Sequence, residues 1–324
     1  MASFLITRHM SPALAARVQA AVSGTRGAQR KSRVKALLRA LTATFVIAAI
    51  AITLHFKQRR AARLESQRAE LLAELARHAQ TLNQHDRELP TRVTAAVALH
   101  ATAVYPGDLV VPELRDEARL SEALSRPTLY LRGPLDGLAQ SARVAELAAG
   151  SAKDAFVLCL LAPPEARTEK ALRLKASAAY AHGPSMQITA PIERVAPLLQ
   201  ALPLLGKSWR ERIQGAETEP ALQTLAELVR AAPLSTAVRA AKARQLLLVL
   251  DETATLTSAA ELDGERPHAV RVVLADLSQG ETRLRFRGNV DPSWLSDTAR
   301  AQYASGIDSC ALAMDLRKAV TARP

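Results

Sequence analysis

A carboxylate followed by hydroxyl side chains ends an apolar run in the segment 245–257, which reads QLLLVLDETATLT. The apolar residues predict a buried β-strand, and Asp251 would stand at its carboxyl end with Thr253 shortly after it. A carboxylate in that position can act as a nucleophile, and a neighbouring hydroxyl can bind a phosphate oxygen. Asp251 and Thr253 are therefore the candidate catalytic residues of this segment.

The string that begins at Asp251 resembles the phospho-aspartate motif of the haloacid dehalogenase and P-type ATPase families. The resemblance implies that Asp251 is the nucleophile and Thr253 a phosphate contact, and it departs from those families at Ala254, where they usually have Gly. Those families place the motif at the start of the catalytic domain, whereas 73 residues follow Asp251 here. An aspartate that ends a strand and begins a surface loop is the alternative interpretation of the same residues.

Three arginines alternate with other residues in the segment 282–287, which reads TRLRFR. Because side chains alternate between the two faces of a strand, Arg283, Arg285 and Arg287 would share one face. Such a stripe could bind an anionic envelope polymer, a lipid head group or an acidic protein. The alternative is a solvent-exposed face whose charge is neutralised by Glu281 and Asp291.

The chain has two cysteines, Cys159 and Cys310, which allow one disulfide pairing. Either they pair, as cysteines do in oxidising compartments, or Cys159 is a small buried hydrophobic residue within FVLCLL. The sequence shows no CxxC, HExxH or GxSxG motif, and no GxGxxG between a strand and a helix. No motif of these kinds therefore predicts a cofactor or a metal site.

Positive charge is concentrated near the N-terminus. Of the 43 Lys and Arg residues, twelve precede residue 64, and no Asp or Glu occurs before Glu65. The segment 64–324 is electrically balanced, with 31 basic and 31 acidic residues. A nucleic-acid-binding protein would carry its basic excess on a folded domain, whereas here the excess flanks one apolar stretch. This pattern is typical of a membrane protein, whose partner is the lipid bilayer rather than a nucleic acid.

The apolar stretch predicts a transmembrane helix over residues 37–56. Residues 40–56 carry no charge, and the 20-residue span is about 30 Å long as a helix, which matches the hydrocarbon thickness of a bilayer. A cleaved signal peptide is the main alternative, but the small-x-small tripeptide 49–51 lies inside the apolar run rather than after it. An uncleaved signal-anchor is therefore the preferred interpretation.

The tail, residues 1–36, sets the expected orientation. Residues 1–39, which precede the uncharged run 40–56, include eight basic and no acidic side chains, and this favours a cytoplasmic N-terminus in the inner (plasma) membrane with the rest translocated. The alternative is the same anchor reversed, with a cytoplasmic C-terminal domain.

Residues 57–90 predict a helical stalk, because Gly and Pro are absent from 57–89 and Pro90 would close the helix. Apolar residues fit a heptad well enough to suggest a coiled coil, and hence a homodimer through 57–89. The heptad places Ala61, Leu75, Leu82 and Leu89 at a, with Arg68 as the exception, and Leu64, Leu71, His78 and His85 at d. In a dimer, the two histidines would lie along the interface between the helices, the seam, and could bind a metal or respond to pH. On a monomeric helix they would simply be exposed to solvent.

The rest of the chain predicts a helical connector, 91–126, and an α/β domain, 127–324, in which a mixed sheet carries helices on its faces. The expected elements are a strand at 128–132, a helix at 134–149, a strand at 154–161, a helix at 165–181, helices over 191–243, a strand at 245–250, a hairpin of 269–274 with 282–287, and a final helix. The order is β-α-β-α followed by a helical insertion, a strand, a β-hairpin and a helix.

The leading hypothesis is a single-pass membrane protein whose extracytoplasmic α/β domain binds or scaffolds an envelope assembly or transport system. Its partner would be an unidentified envelope protein or polymer. The alternative is a membrane-anchored phosphohydrolase that uses Asp251.

Overall fold

The computed structural model describes residues 11–151, 155–181, 192–252 and 267–322. The chain divides into two compact units, residues 1–67 and residues 68–324. The described helices are α1 Pro12–Ala79, α2 Gln84–Thr102, α3 Glu117–Leu124, α4 Leu135–Leu138, α5 Val144–Gly150, α6 Ala155–Leu161, α7 Glu169–Ala181, α8 Val195–Ala201, α9 Lys207–Gln214, α10 Glu219–Ala231, α11 Leu234–Ala240 and α12 Asp297–Thr321. The described strands are β1 Leu109–Val110, β2 Thr128–Pro134, β3 Ile192–Arg194, β4 Gln245–Glu252, β5 His268–Asp276 and β6 Glu281–Val290.

The first unit consists of helix α1 up to residue 67. From Leu41 onward, α1 is the one helix of the described residues that is long and apolar enough to cross a membrane, and none of that apolar window is buried. Large side chains such as Phe45 and Ile47 are exposed. The hydroxyl groups of Thr42 and Thr53 donate to main-chain carbonyls one turn earlier, so these polar groups are satisfied within the helix.

The second unit begins with the last turns of α1, and here the structure differs from the predicted stalk. The helix ends at Ala79, and α2 starts at Gln84 with Pro90 inside it. Asn83 causes the restart, because its side chain accepts from the Asp86 amide while the Asp86 side chain accepts from the Asn83 amide. Pro90 therefore does not close a helix that begins at residue 57.

The leucines at the predicted a positions are buried within the chain itself. Leu75, Leu82 and Leu89 are at most 6% exposed. Arg68, which interrupts the apolar pattern, donates to the main-chain oxygens of Ile213 at 3.3 Å and Ala216 at 2.8 Å. A homodimer through 57–89 stays a prediction, but these three leucines already have partners in the same chain.

The protein is mixed α/β, and its described strands form one six-stranded sheet in the order β1-β6-β5-β4-β2-β3. Strand β2 pairs in parallel with both β3 and β4, whereas β5, β6 and β1 add antiparallel pairs. The predicted strands at 128–132 and 245–250 and the predicted hairpin are confirmed. The hairpin turn contains Gly280 at φ 72°, a left-handed conformation that glycine adopts without strain.

The predicted strand at 154–161 is wrong, because residues 155–161 form helix α6. A short apolar run that is buried on nearly every side has no polar face, so its periodicity cannot distinguish a strand from a helix. The second parallel strand is instead β3, which lies inside the region predicted to be wholly helical. Three residues are too few to show an alternating pattern.

The main hydrophobic core lies between one face of the sheet and helices α3, α6, α7 and α12. Its largest side chains include Tyr130 of β2 and Phe156 of α6, whose rings stack with their centroids 6.5 Å apart. Residues directly opposite one another on paired strands face the same side of a sheet. Asp251 lies opposite Val270, a member of this core, and therefore faces the same helices.

Candidate functional site

A buried ion pair connects the two central parallel strands. Arg132 on β2 donates from Nε to Asp251 Oδ2 at 3.0 Å and from Nη2 to Asp251 Oδ1 at 2.9 Å. The parallel register brings them together, since Asp251 is the residue of β4 opposite Pro134, two positions beyond Arg132. Carboxyl ends of parallel strands are where ligands usually bind in α/β sheets, so this cluster is the candidate site.

His268, the first residue of β5, completes the coordination of the carboxylate. Its Nε2 lies 2.9 Å from Asp251 Oδ1. Burial by itself would raise the pKa of Asp251, but the Arg132 guanidinium and the hydrogen bonds from His268 and Arg132 outweigh it and hold that pKa below its ordinary value. Asp251 is therefore an ionised carboxylate that is buried between the sheet and the helices.

Helix α12 contributes two more polar side chains to this end of the sheet. Arg132 donates from Nη1 to Ser309 Oγ at 2.7 Å. The neighbouring Asp308 is 3% exposed, and neither of its carboxylate oxygens has a hydrogen-bond partner among the described residues. Burial, together with repulsion from Asp291, raises the pKa of Asp308 to about 7.

The charged side chains of this cluster bind one another, and the Asp251 carboxylate is not available as a nucleophile in this arrangement. Asp251 has no exposed surface, and both of its oxygens are engaged by Arg132 or His268. The hydroxyl of Ser309 accepts a hydrogen bond from Arg132. Thr253, the predicted phosphate contact, lies outside the described residues. The described geometry makes the sequence candidate Asp251 one half of a structural ion pair.

The predicted arginine stripe on β6 lies against Tyr105, on the opposite side of the sheet from Asp251. The guanidinium carbons of Arg271, Arg285 and Arg287 lie 5.6, 5.9 and 5.8 Å from the centre of the Tyr105 ring. These distances are typical of cation–π contacts. Two members of the predicted stripe thus pack on an aromatic side chain of the same chain.

Glu252 is the acidic partner of this arginine cluster, and sequence reasoning did not find it. It accepts hydrogen bonds from both Arg271 and Arg287, while Arg285 donates from Nε to the oxygen of Gly107 at 2.6 Å. Burial would raise the pKa of Glu252, but the two arginines outweigh it and lower that pKa. The expected neutralising residues, Glu281 and Asp291, are not the ones that bind these arginines in the described contacts.

Arg283, the remaining member of the stripe, lies beside the buried amide of Gln245. With that amide turned so that its nitrogen donates to the oxygen of Ala123 at 2.9 Å, its oxygen accepts from Arg283 Nη1 at 3.1 Å. Every member of the stripe thus has an intramolecular contact. An anion would have to compete with these contacts to bind there.

Cys159 and Cys310 are joined in a disulfide that connects α6 to α12, with their Cα atoms 5.1 Å apart. Both residues are fully buried in the core. The bond fastens the last helix to the core between positions 151 residues apart in the sequence.

Metal binding has no support in the described part of the chain, where no three His, Cys, Asp or Glu side chains converge as ligands. The two histidines of the predicted seam lie on different helices, His78 on α1 and His85 on α2. The Nε2 of His85 lies 3.0 Å from Nη1 of Arg92. Arginine has no acceptor, so His85 Nε2 accepts this bond and its lone pair is occupied.

Comparison with known proteins identifies no relative. No family model, no characterised protein sequence and no solved structure matches the chain.

Proposed function

We propose that this chain is a single-pass membrane-anchored protein whose α/β domain is a binding or scaffolding component of an envelope assembly or transport system. The observation that carries the proposal is the apolar stretch of α1, which is exposed throughout and lies within the unbroken helix Pro12–Ala79. Water would be a poor solvent for this surface, whereas a bilayer would cover it. An uncleaved signal-anchor is the form of anchor that fits an unbroken helix.

The proposed location of the domain is the extracytoplasmic side of the inner membrane. Eight basic and no acidic residues precede the apolar stretch, and such a tail resists translocation. The Cys159–Cys310 disulfide supports the same side, because disulfides persist in oxidising compartments and are rare in the cytosol.

A binding role is favoured over catalysis by the state of the candidate nucleophile. Attack by Asp251 on a phosphorus atom would require its carboxylate to leave Arg132 and His268 and to reach solvent. Breaking a buried, bidentate ion pair is costly, so the phosphohydrolase has less support from the geometry. The partner in the proposal is an envelope protein or polymer that contacts the surface of the domain.

Topology reporters test the location. A reporter enzyme that is active only outside the cytoplasm, fused after Pro324, should be active, and a fluorescent protein that folds only in the cytoplasm should be dark at the same position. Protease added to spheroplasts should digest the folded unit. The reverse pattern, with an inactive enzyme and a protected domain, would place the domain in the cytoplasm.

Thiol trapping tests the disulfide independently. Cells lysed directly into denaturant with a maleimide polymer should give no mass shift for the full chain before reduction and a two-label shift after it. The matched control is Cys159→Ser, which leaves Cys310 free and should give one label without reductant. Two labels on the unreduced wild-type chain would contradict an oxidising compartment.

Phosphatase activity tests the competing function. The full chain, purified in detergent, should not hydrolyse p-nitrophenyl phosphate with Mg²⁺ above the level of Asp251→Asn. An activity that is present in the wild type and lost in a folded Asp251→Asn chain would establish the phosphohydrolase instead.

A further inference from the structure

Asp308 is a buried carboxyl group without the hydrogen-bond partners that buried carboxylates usually have. It lies on α12 at 3% exposure, and neither oxygen receives a hydrogen bond from any of the described residues. An ionised carboxylate in that state loses its hydration without replacement, whereas a protonated one loses much less. The free-energy cost of burying Asp308 therefore depends on its protonation state.

The cations nearest to Asp308 are already used by other acids. Arg132 on β2 and His268 on β5 act on Asp308 through their charges, but both form their direct bonds with Asp251 on β4. Arg167, which precedes α7, also acts on Asp308 and is paired with Asp315 of α12 at 3.0 Å. Their attraction is too weak to offset the burial of Asp308.

Acidic groups on the elements packed against α12 do not stabilise an ionised Asp308. Asp291, at the end of β6, raises the energy of an ionised Asp308. Helix α6 carries no acidic or basic side chain, and Glu117 of α3 is bound to Arg317. At the start of α7, Glu169 accepts hydrogen bonds from the amide and hydroxyl of Ser296. Glu117 of α3 and Glu169 of α7 thus have partners of their own.

We propose that Asp308 is a proton-controlled latch for the first half of α12. With the proton bound, the neutral carboxyl stabilises the helix over 297–309; with the proton lost, the buried charge loosens this half. The second half stays in place because Cys310 is bonded to Cys159 and Arg317 donates to the oxygen of Leu160 and to Glu117. The latch rests on the folded unit alone and does not depend on the proposed membrane location.

The direction of the effect follows from proton linkage. Asp308 has a pKa of about 7 in the folded state against an ordinary value of 3.8, so the closed helix binds the proton more tightly than an opened one. The opening equilibrium constant should therefore rise by up to about tenfold for each pH unit between the two values and level off above the higher one. Stability of this half of α12 is greatest in acid and is lost as the pH rises toward neutrality.

Hydrogen exchange measured by mass spectrometry on the full chain in lipid nanodiscs tests the latch. At pH 5, 6, 7 and 8, with intrinsic exchange rates corrected, protection of amides in 297–309 should fall from pH 5 to 7 and then level off. Protection in 310–321 should change little. In Asp308→Asn the pH dependence should disappear, whereas Asp297→Asn, which removes an exposed carboxylate from the same helix, should behave like the wild type.

A flat wild-type profile over 297–309 would overturn the proposal without any variant. The same conclusion would follow if Asp308→Asn folded and kept the wild-type pH dependence. If Asp308→Asn does not fold, Asp308→Leu, which places an apolar side chain of similar size there, is the second variant and should also abolish the pH dependence. A pH dependence that survives in Asp308→Leu would assign it to another group.

Discussion

The guanidinium of Arg132 and the carboxylate of Asp251 form two hydrogen bonds, of 3.0 and 2.9 Å, between neighbouring parallel strands at the centre of the sheet. The side chain of Arg132 is 9% exposed and that of Asp251 is fully buried. Each charge stabilises the other there, because burial of an unpaired ion is far more costly than burial of a pair. The effect of substituting one of these residues on stability therefore depends on whether the other still carries its charge.

Arg132→Met should destabilise the folded unit strongly. It leaves the buried Asp251 charge with His268 alone, and removing one partner of a buried pair costs about 3–5 kcal/mol. Adding Asp251→Leu should recover most of that loss, because the second substitution removes the unpaired charge. Denaturant unfolding of the full chain, followed by tryptophan fluorescence, measures both changes.

A matched control for that variant is Arg126→Met. Arg126 is 53% exposed and lies 3.9 Å from Glu122, also an exposed residue. This substitution should change stability by no more than about 0.5 kcal/mol. Equal losses in the two variants would mean that burial of the Arg132 pair has no energetic consequence.

Acid should weaken the wild-type chain through Asp251. Because its pKa is lowered in the folded state, the unfolded chain binds the proton more tightly, and the stability from Asp251 is present above its ordinary pKa and lost as the pH falls below about 4. The double variant Arg132→Met/Asp251→Leu lacks this group. Between pH 4 and 2.5 its unfolding free energy should fall less steeply, by up to about 1.4 kcal/mol per pH unit. Parallel pH profiles would contradict this assignment, since other carboxylates titrate in both chains.

The strands with clear patterns were predictable from the sequence, and those without a pattern were not. The run QLLLVL and the hairpin around Gly280 carry local signals that the fold retains. In contrast, the run at 155–161 is apolar on all sides, and β3 has only three residues. Which of these short segments joins the sheet depends on tertiary contacts that no local pattern records.

The candidate site was predictable in part only. The strand-end position of Asp251 follows from the sequence, but its partner Arg132 is 119 residues away and lies within LYLRG, a run that signals only a strand. His268 and Ser309 likewise reach the cluster through strand register and helix packing. The role of Asp251 as an ion-pair member thus depends on long-range pairing of strands.

The predicted homodimer through 57–89 can also be tested, because the leucines at its predicted a positions are buried within their own chain. Leu75→Ala should cost about 2–5 kcal/mol, the usual range for truncation of a buried leucine. The loss should be the same at protein-to-detergent ratios that differ by a hundredfold, since the contacts of Leu75, which is 1% exposed, are intramolecular. Leu99→Ala on α2, at a position 60% exposed, is the control and should change stability by about 0.5 kcal/mol or less. A loss that depends on protein concentration would instead indicate a seam between two copies.

The anchor should fail when charge is placed in the middle of the apolar stretch. Ile47 and Ile50 are 67% and 55% exposed, so their replacement by arginine removes little packing within the chain. Each arginine costs roughly 2.5–3.5 kcal/mol at the centre of an inserting helix, and this Ala- and Thr-rich stretch has little excess hydrophobicity to offset two of them. The double variant should appear in the soluble fraction or fail to be exported, whereas the wild type should resist carbonate extraction. Ile47→Leu/Ile50→Leu, which keeps the hydrophobicity at the same positions, should stay in the membrane. If the arginine variant remains as an integral, carbonate-resistant protein, this helix is not the anchor, and the proposed function must be given up with it.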